Sequence, residues 1–85
     1  MQRTGIVAAI NPSRGMVAIE TEDDGHTIIE LLSPWDVEVG DEIAWQNGHG
    51  LGSETYENLT KGTREVVCVQ NHAVGQATLR QQLLF

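Results

Sequence analysis

Three histidines carry the widest range of chemistry in this chain, and each of them stands alone in the sequence. His26, His49 and His72 lie far apart, so no two share the i, i+4 spacing that places metal ligands on one face of a helix. Zinc needs three or four convergent donors. The spacing therefore predicts no metal site, and we expect these histidines on the surface or in loops.

Nucleophile motifs are also missing. The one cysteine, Cys68, lies between valines in a strand-like run, where a small buried residue is expected rather than a reactive thiol, which needs a nearby cation and exposure. The glycine-rich run 48–52 begins like a dinucleotide-binding turn but is not followed by a helix. We therefore predict that the protein is not an enzyme and uses no cofactor. A single cysteine cannot form an internal disulfide, which favours a reducing, cytoplasmic compartment.

Acidic residues are concentrated in the first half of the chain. Residues 1–43 hold two arginines against nine aspartates and glutamates, 2 − 9 = −7, whereas the charges of residues 44–85 cancel. Binding driven by phosphate contacts needs a basic stripe, so this balance disfavours nucleic acid as a partner. The acidic run Glu22–Asp24 lacks the alternating oxygen ligands of a calcium loop, and we expect it to be a solvated turn.

Apolar residues recur at the period of β-strands through the first half of the chain, and turn residues separate the runs. This pattern predicts five strands, at Thr4–Ile10, Met16–Thr21, His26–Leu32, Glu42–Gln46 and Arg64–Gln70. The Asp24-Gly25 pair predicts a hairpin between the second and third strands. Five short antiparallel strands in a chain of 85 residues favour a small closed or partly closed barrel, because closure removes the exposed edges.

The rest of the chain is less regular. Residues 47–62 contain four glycines and no sustained period, which predicts a long loop, and a short helix is expected from about Ala73 towards Phe85. We interpret residues 1–85 as one domain, with no apolar run long enough to span a membrane. The apolar end Leu83-Leu84-Phe85 predicts either a weak homodimer or packing against an open barrel end, so the chain is expected to be a monomer or a weak homodimer.

Residues 4–45 resemble a known family in spacing and turn chemistry. The residues that carry the similarity are Gly5-Ile6-Val7, Ile10-Asn11, Arg14-Gly15, Ile19, the acidic turn 22–25, Ser33 and Gly40. They resemble the cold-shock domain, which implies a mainly β fold, a five-stranded antiparallel OB-like barrel. Proteins of that family bind single strands by stacking bases on aromatic side chains. In an ungapped alignment these positions fall on Ala9, Met16 and Ala18, so the resemblance implies the barrel without its stacking surface.

The loop before the last strand is the candidate ligand site, because in OB barrels it borders the common binding face. Its polar and aromatic side chains are His49, Tyr56, Asn58, Lys61 and, just beyond, Arg64. We predict a small non-enzymatic binding or accessory module whose most favoured partner is another protein. The alternative is a weak single-stranded nucleic-acid binder that uses loop 47–62. An enzymatic interpretation ranks below both, since it needs His49, His72 and an acid to converge.

Overall fold

The computed structural model describes residues 2–22, 25–46 and 48–83. These residues form six strands, a 3₁₀ turn and one short helix: β1 (Arg3–Asn11), β2 (Met16–Thr21), β3 (His26–Leu31), β4 (Glu42–Trp45), β5 (Gly52–Asn58), β6 (Thr63–Val74), the 3₁₀ turn Gln76–Thr78 and α1 (Leu79–Gln82). None of the helices described is long and apolar enough to cross a membrane.

The strands close into an antiparallel barrel in the order β1-β2-β3-β6-β5-β4, with β4 returning to pair with β1. The prediction of a mainly β, closed antiparallel barrel with a short C-terminal helix is confirmed in this form, and the barrel is compatible with a small OB-like barrel. The predicted number of five strands is wrong, because β4, β5 and β6 form a continuous meander in which β5 is an additional strand.

The additional strand lies inside the segment predicted to be a loop, residues 47–62. Only two side chains of β5, Tyr56 and Asn58, are buried, and one of them is polar. The strand therefore has no apolar alternation in its sequence. Its partners on both sides hold it in place, since Tyr56 lies opposite Trp45 of β4 and opposite Glu65 of β6.

The barrel interior is filled by one apolar cluster drawn from all six strands. Its members are Val7, Val17, Ile19, Ile29, Ile43, Trp45, Tyr56, Val67 and Val69. Both β2 and β3 also bury residues on their outer side, at Ala18 and Ile28, and these belong to a second cluster. The two clusters lie on opposite faces of the same strands because successive side chains alternate across a sheet.

The second cluster is completed by the segment after β6, residues 75–83, which we call the cover segment. It lies on the outer face of the sheet, with Leu79 and Leu83 packed against Met16, Ala18 and Ile28. The predicted helix over 73–85 is correspondingly too long: β6 continues to Val74, and α1 has only four residues. Leu84 and Phe85, on which the predicted apolar contact partly depended, lie outside the described residues.

Loops lie at the two ends of the barrel. Loop 32–41 crosses the end where β3 finishes and β6 begins, which we call the groove end. Residues 48–51 lie at the opposite end, where Arg3 of β1 lies opposite Trp45 of β4; we call this the histidine end.

Candidate functional site

An apolar groove opens at the groove end of the barrel, with a cavity volume of about 700 Å³. It is lined by Ile10, Pro12, Gly15, Leu31, Leu32, Ser33, Pro34, Trp35, Asp36 and Val37. Four of these side chains also pack against the interior cluster, namely Ile10, Leu31, Trp35 and Val37. The floor of the groove is thus the edge of the hydrophobic core.

The walls of the groove are fixed by two backbone features. The β1-β2 turn contains Gly15 at φ 66°, and its carbonyl accepts a hydrogen bond from the Leu31 N–H at 2.8 Å. This bond fastens the turn to β3. Beyond Leu32, Pro34 has no N–H to donate to a ladder, so the chain leaves the sheet and crosses the barrel end.

The crossing loop is then fastened to β6. The indole Nε1 of Trp35 donates to Thr63 Oγ1 at 3.0 Å. Leu31 of β3 pairs with Val67 of β6, and Trp35, four residues after Leu31, contacts Thr63, four residues before Val67. The loop is thereby attached to the first residues of β6, which pair with β5 and not with β3.

One large apolar side chain stands at the rim of the groove. Leu32 is 56% exposed, although it is directly attached to the strand residue Leu31, which packs on the core. Leu51, in the loop at the opposite end, is exposed to a similar degree, at 60%, and does not line the groove. The two leucines therefore provide a matched comparison for binding experiments.

A polar network joins loop 32–41, which we call the groove loop, to the end of β5. The fully buried Asn58 donates from Nδ2 to Asp41 Oδ2 at 2.9 Å, and its Oδ1 accepts from the Lys61 N–H at 3.0 Å. Asp41 Oδ2 also accepts from the Glu38 N–H at 3.0 Å. The Asn58 hydrogen bond is the main cause that lowers the pKa of Asp41 from its ordinary value.

Lys61 completes this network as its only cation among the described residues. Its Nζ lies 2.9 Å from Asp36 Oδ1, 2.8 Å from Glu38 Oε1 and 3.4 Å from Asp41 Oδ2. Hydrogen bonds to Glu38 first and to Asp36 next raise the pKa of the ammonium. One positive charge faces three negative ones, 1 − 3 = −2, so the loop beside the groove keeps a net negative charge.

The five predicted site residues are not brought together. Asn58 and Lys61 meet at the groove end, where they hold loop 36–41 in place. Arg64 is exposed on the outer face of β6, opposite Glu57 of β5. His49 lies at the histidine end and Tyr56 in the interior, so no common surface presents all five.

Tyr56 is enclosed by the core. Its ring stacks on Trp45 with ring centroids 4.8 Å apart and planes 1° from parallel, and its exposed fraction is only 1%. Burial of the phenol raises the pKa of Tyr56 well above its ordinary value. Its hydroxyl is buried with no hydrogen-bond partner in the described structure. The ring therefore offers no face to a nucleobase.

The histidine end is tied together by His72. Its Nε2 donates to the Gly50 carbonyl at 3.0 Å, and its Nδ1 shares a hydrogen bond of 2.9 Å with Thr27 Oγ1. The ring of His49 lies edge-on to it, with centroids 5.2 Å apart. A bulge in β6, which includes Ala73 at φ 56°, turns His72 toward this end.

Both ring nitrogens of His72 are thus engaged, and one of them holds residues 48–51 to the barrel through Gly50. Within residues 2–22, 25–46 and 48–83, no group of three or more histidine, cysteine, aspartate or glutamate side chains is placed to hold a metal ion. His26 is buried, and its Nδ1 donates to the Val74 carbonyl at 3.1 Å, contrary to the expected surface or loop position. This hydrogen bond reinforces the pairing of β3 with β6.

None of the residues that line the groove was among the ligand-site residues predicted from the sequence. The sequence did contain a signal. Pro12 and Pro34 each stand two residues after a bulky apolar residue at the end of a predicted strand, Ile10 and Leu32, and Trp35 follows Pro34 directly. Two prolines that follow strands at the same end of a barrel keep the ladder from continuing there. Only the topology shows that the two turns face each other.

The positions aligned with the stacking aromatics of cold-shock domains are covered. Met16 and Ala18 are buried beneath the cover segment, and Ala9 packs against the same cluster. This outer face is therefore occupied by the chain's own leucines. Comparison with known proteins gives no match: no family model, no curated protein and no solved structure is significantly similar to the chain.

Proposed function

We propose that this protein is a small non-enzymatic binding module whose apolar groove takes a short segment of a partner protein. The segment carries a bulky apolar side chain flanked by basic residues. The observation that carries the proposal is the groove of about 700 Å³ whose floor is formed by Leu31 and Trp35, which pack against the core. A side chain entering it is desolvated against a rigid apolar surface, which is how interface anchors gain affinity.

Charge complementarity supports a basic partner segment. Every groove residue belongs to the half of the chain with net charge −7. Asp36 lines the groove and Glu38 lies two residues beyond it; their side chains are 81% and 72% exposed, and Lys61 neutralises only part of their charge. Such a surface attracts lysine and arginine and repels acidic partners, which sets specificity and association rate.

The scarcity of polar groups favours a protein segment over a small metabolite. Metabolite sites use several convergent polar groups to fix the orientation of the ligand. Of the described residues that line this groove, Ser33, Trp35 and Asp36 carry polar side-chain atoms; the Trp35 indole donates to Thr63, and Asp36 is engaged by Lys61 at 2.9 Å. The same scarcity supports a non-enzymatic role, as does the separation of His49 and His72 from the groove.

Two observations weigh against the alternative of single-strand binding through residues 47–62. The aromatic ring of Tyr56 is buried against Trp45, so it provides no stacking surface. The ammonium of Lys61 is engaged by carboxylates, so a phosphate would have to compete with them. Arg64 remains exposed but stands opposite Glu57.

Selection from a library of random displayed peptides tests the proposal, because it finds the preferred segment without requiring the partner itself. We expect the selected peptides to share an apolar anchor flanked by lysine or arginine. Their addition should shift the amide resonances of residues 31–37 in a saturable way. Replacement of their basic residues by glutamate should weaken binding by about tenfold or more.

Three outcomes would overturn the proposal. They are selection that enriches no sequence, selected peptides that shift residues outside the groove, and tighter saturable binding of a metabolite at residues 31–37. A labelled single-stranded oligonucleotide is titrated in parallel at low salt. Binding that is micromolar and weakens as salt rises would support the nucleic-acid alternative instead, because phosphate contacts lose affinity with salt.

A further inference from the structure

The cover segment buries only a small part of itself against the barrel. Of residues 75–83 only Leu79 and Leu83 are buried. One buried hydrogen bond accompanies them: Asn11 Nδ2 donates to the Leu83 carbonyl at 2.8 Å. This buried contact is small for a segment of nine residues, so the entropy lost by ordering the segment offsets much of the stabilisation that docking gains.

The helix within the segment depends on this docking. α1 has four residues, and neither it nor the preceding 3₁₀ turn has a side-chain cap at its N-terminus. A helix of one turn is not stable alone in water. When Leu79 and Leu83 leave the sheet, the segment therefore loses its helical structure as well.

The segment leaves the barrel at a well-defined point. Val74 is buried, and its carbonyl accepts from His26 Nδ1 at 3.1 Å. The next residue, Gly75, is exposed, and a Cβ built on it would meet no atom within 4 Å. β6 is thus fixed through Val74, and the chain can pivot at Gly75 without disturbing the strand.

The surface beneath the segment is apolar and separate from the barrel interior. It is formed by Ala9, Met16, Ala18, Ile28 and Val74, none of which belongs to the interior cluster. Departure of the segment exposes this surface while the interior cluster stays closed. An exposed apolar surface of this kind must be covered again by the same segment or by another one.

We propose that this outer face is a docking surface for the cover segment of a second copy of the chain, so that two copies exchange residues 75–83 reciprocally. A second copy carries the two leucines and the carbonyl that Asn11 binds. It also brings Gln81 and Gln82, which line the edge of the face beside Glu30 and Gln70. The contacts within the exchanged dimer are those of the monomer, so only the pivot at Gly75 changes.

A peptide added in trans tests the docking surface. The full chain carrying Leu79→Ser and Leu83→Ser is titrated with a synthetic peptide of residues 75–83. We expect saturable one-to-one binding that shifts the amides of Met16, Ala18 and Ile28. Asn11→Ala should weaken it about fivefold, the loss of one hydrogen bond. A peptide with both leucines replaced by serine is the control. A folded variant that binds neither peptide would overturn the proposal.

Self-association of the unmodified chain is the second measurement. A short linker gives an effective concentration in the millimolar range, so sedimentation should show monomer at micromolar protein and a growing dimer near ~1 mM. Deletion of Gly75 shortens the pivot and should move the dimer to lower concentration. Monomer alone in both chains, or a dimer that persists with Leu79→Ser/Leu83→Ser, would contradict the exchange. Leu32→Ser leaves the exchanged dimer unchanged, which separates this proposal from that for the groove.

Discussion

The side-chain amide of Asn58 lies 2.9 Å from Asp41 Oδ2, and this hydrogen bond joins the last residue of β5 to the end of the groove loop. The bond is buried, and Lys61 reinforces it by bridging three carboxylates of the same loop. The groove is therefore bounded by a loop that is fixed before any ligand arrives. Rigid sites of this kind lose less entropy on binding.

Asn58→Ala should destabilise the fold by about 2–4 kcal/mol, because it removes one hydrogen bond from the buried Asp41 carboxylate and leaves the Lys61 N–H without its partner. Urea unfolding measures the change. Ser53→Ala, at an exposed position of the same strand, is the control and should change stability by less than about 0.5 kcal/mol. Equal effects of the two substitutions would show that the network does not hold the loop.

Protonation of the Asp41 carboxylate at low pH should weaken this network. Its pKa is lower in the folded chain than its ordinary value, chiefly because of the hydrogen bond from Asn58. The stabilisation is therefore fully present above about pH 4 and is lost as the pH falls through the lowered pKa. Unfolding free energies measured between about pH 5 and pH 2 should fall more steeply for the unmodified chain than for Asp41→Asn. Parallel curves would contradict this account.

The sequence alone predicted the first four strands of the barrel. Strands β1 to β4 are short apolar runs separated by turn residues, and β2 was predicted at its observed bounds, Met16–Thr21. β5 has no such pattern, because its buried residues are a tyrosine and an asparagine. The turn after Asn58 did have a local signal, because asparagine often begins a turn. In the structure its Oδ1 accepts from the Lys61 N–H and its carbonyl accepts from the Gly62 N–H.

The candidate site could not be predicted in the same way, because it depends on contacts between distant segments. Lys61 meets Asp36 across 25 positions, and Trp35 meets Thr63 across 28. In the sequence Lys61 and Tyr56 look available to a ligand. In the fold one is paired with carboxylates and the other is buried, because β5 closes the barrel where a loop was expected.

Tyr56 should remain un-ionised far into the alkaline range. Burial raises the pKa of its phenol, so the folded state favours the neutral form, and the stability it contributes is lost as the pH rises above about 10. As the chain has one tyrosine, the absorbance of the phenolate reports this residue alone. We expect no ionisation near pH ~10 in the folded chain and ordinary ionisation in urea. Tyrosinate formed near that pH in folded protein would refute the buried position.

Removal of the Tyr56 hydroxyl should cost little. The oxygen is buried without a partner in the described structure, so Tyr56→Phe removes an unsatisfied polar group and leaves the stack on Trp45 intact. We expect the free energy of unfolding to change by between about −0.5 and about +1 kcal/mol. A loss above about 2 kcal/mol would mean that the hydroxyl has a partner.

Gly25→Ala should cost more than Gly15→Ala, although both glycines have similar positive φ, 68° and 66°. A Cβ on Gly25 would lie 2.8 Å from the Val74 carbonyl oxygen, whereas one on Gly15 would lie in ordinary contact, 3.5 Å from the nearest atom. The backbone penalty is common to both variants, so the difference of about 1–3 kcal/mol reports the clash. Equal unfolding midpoints would show that β6 is not pressed against Gly25.

The most direct test of a partner site in the groove compares the affinity of one peptide for two leucine variants. The affinity of a selected basic peptide is measured by titration calorimetry for Leu32→Ser at the groove rim and for Leu51→Ser at the other end, since the two side chains are 56% and 60% exposed. We predict a loss of about tenfold or more for Leu32→Ser, because a truncated rim anchor no longer covers the bound side chain, and no change for Leu51→Ser. Equal affinities of the two variants would contradict a partner site in the groove.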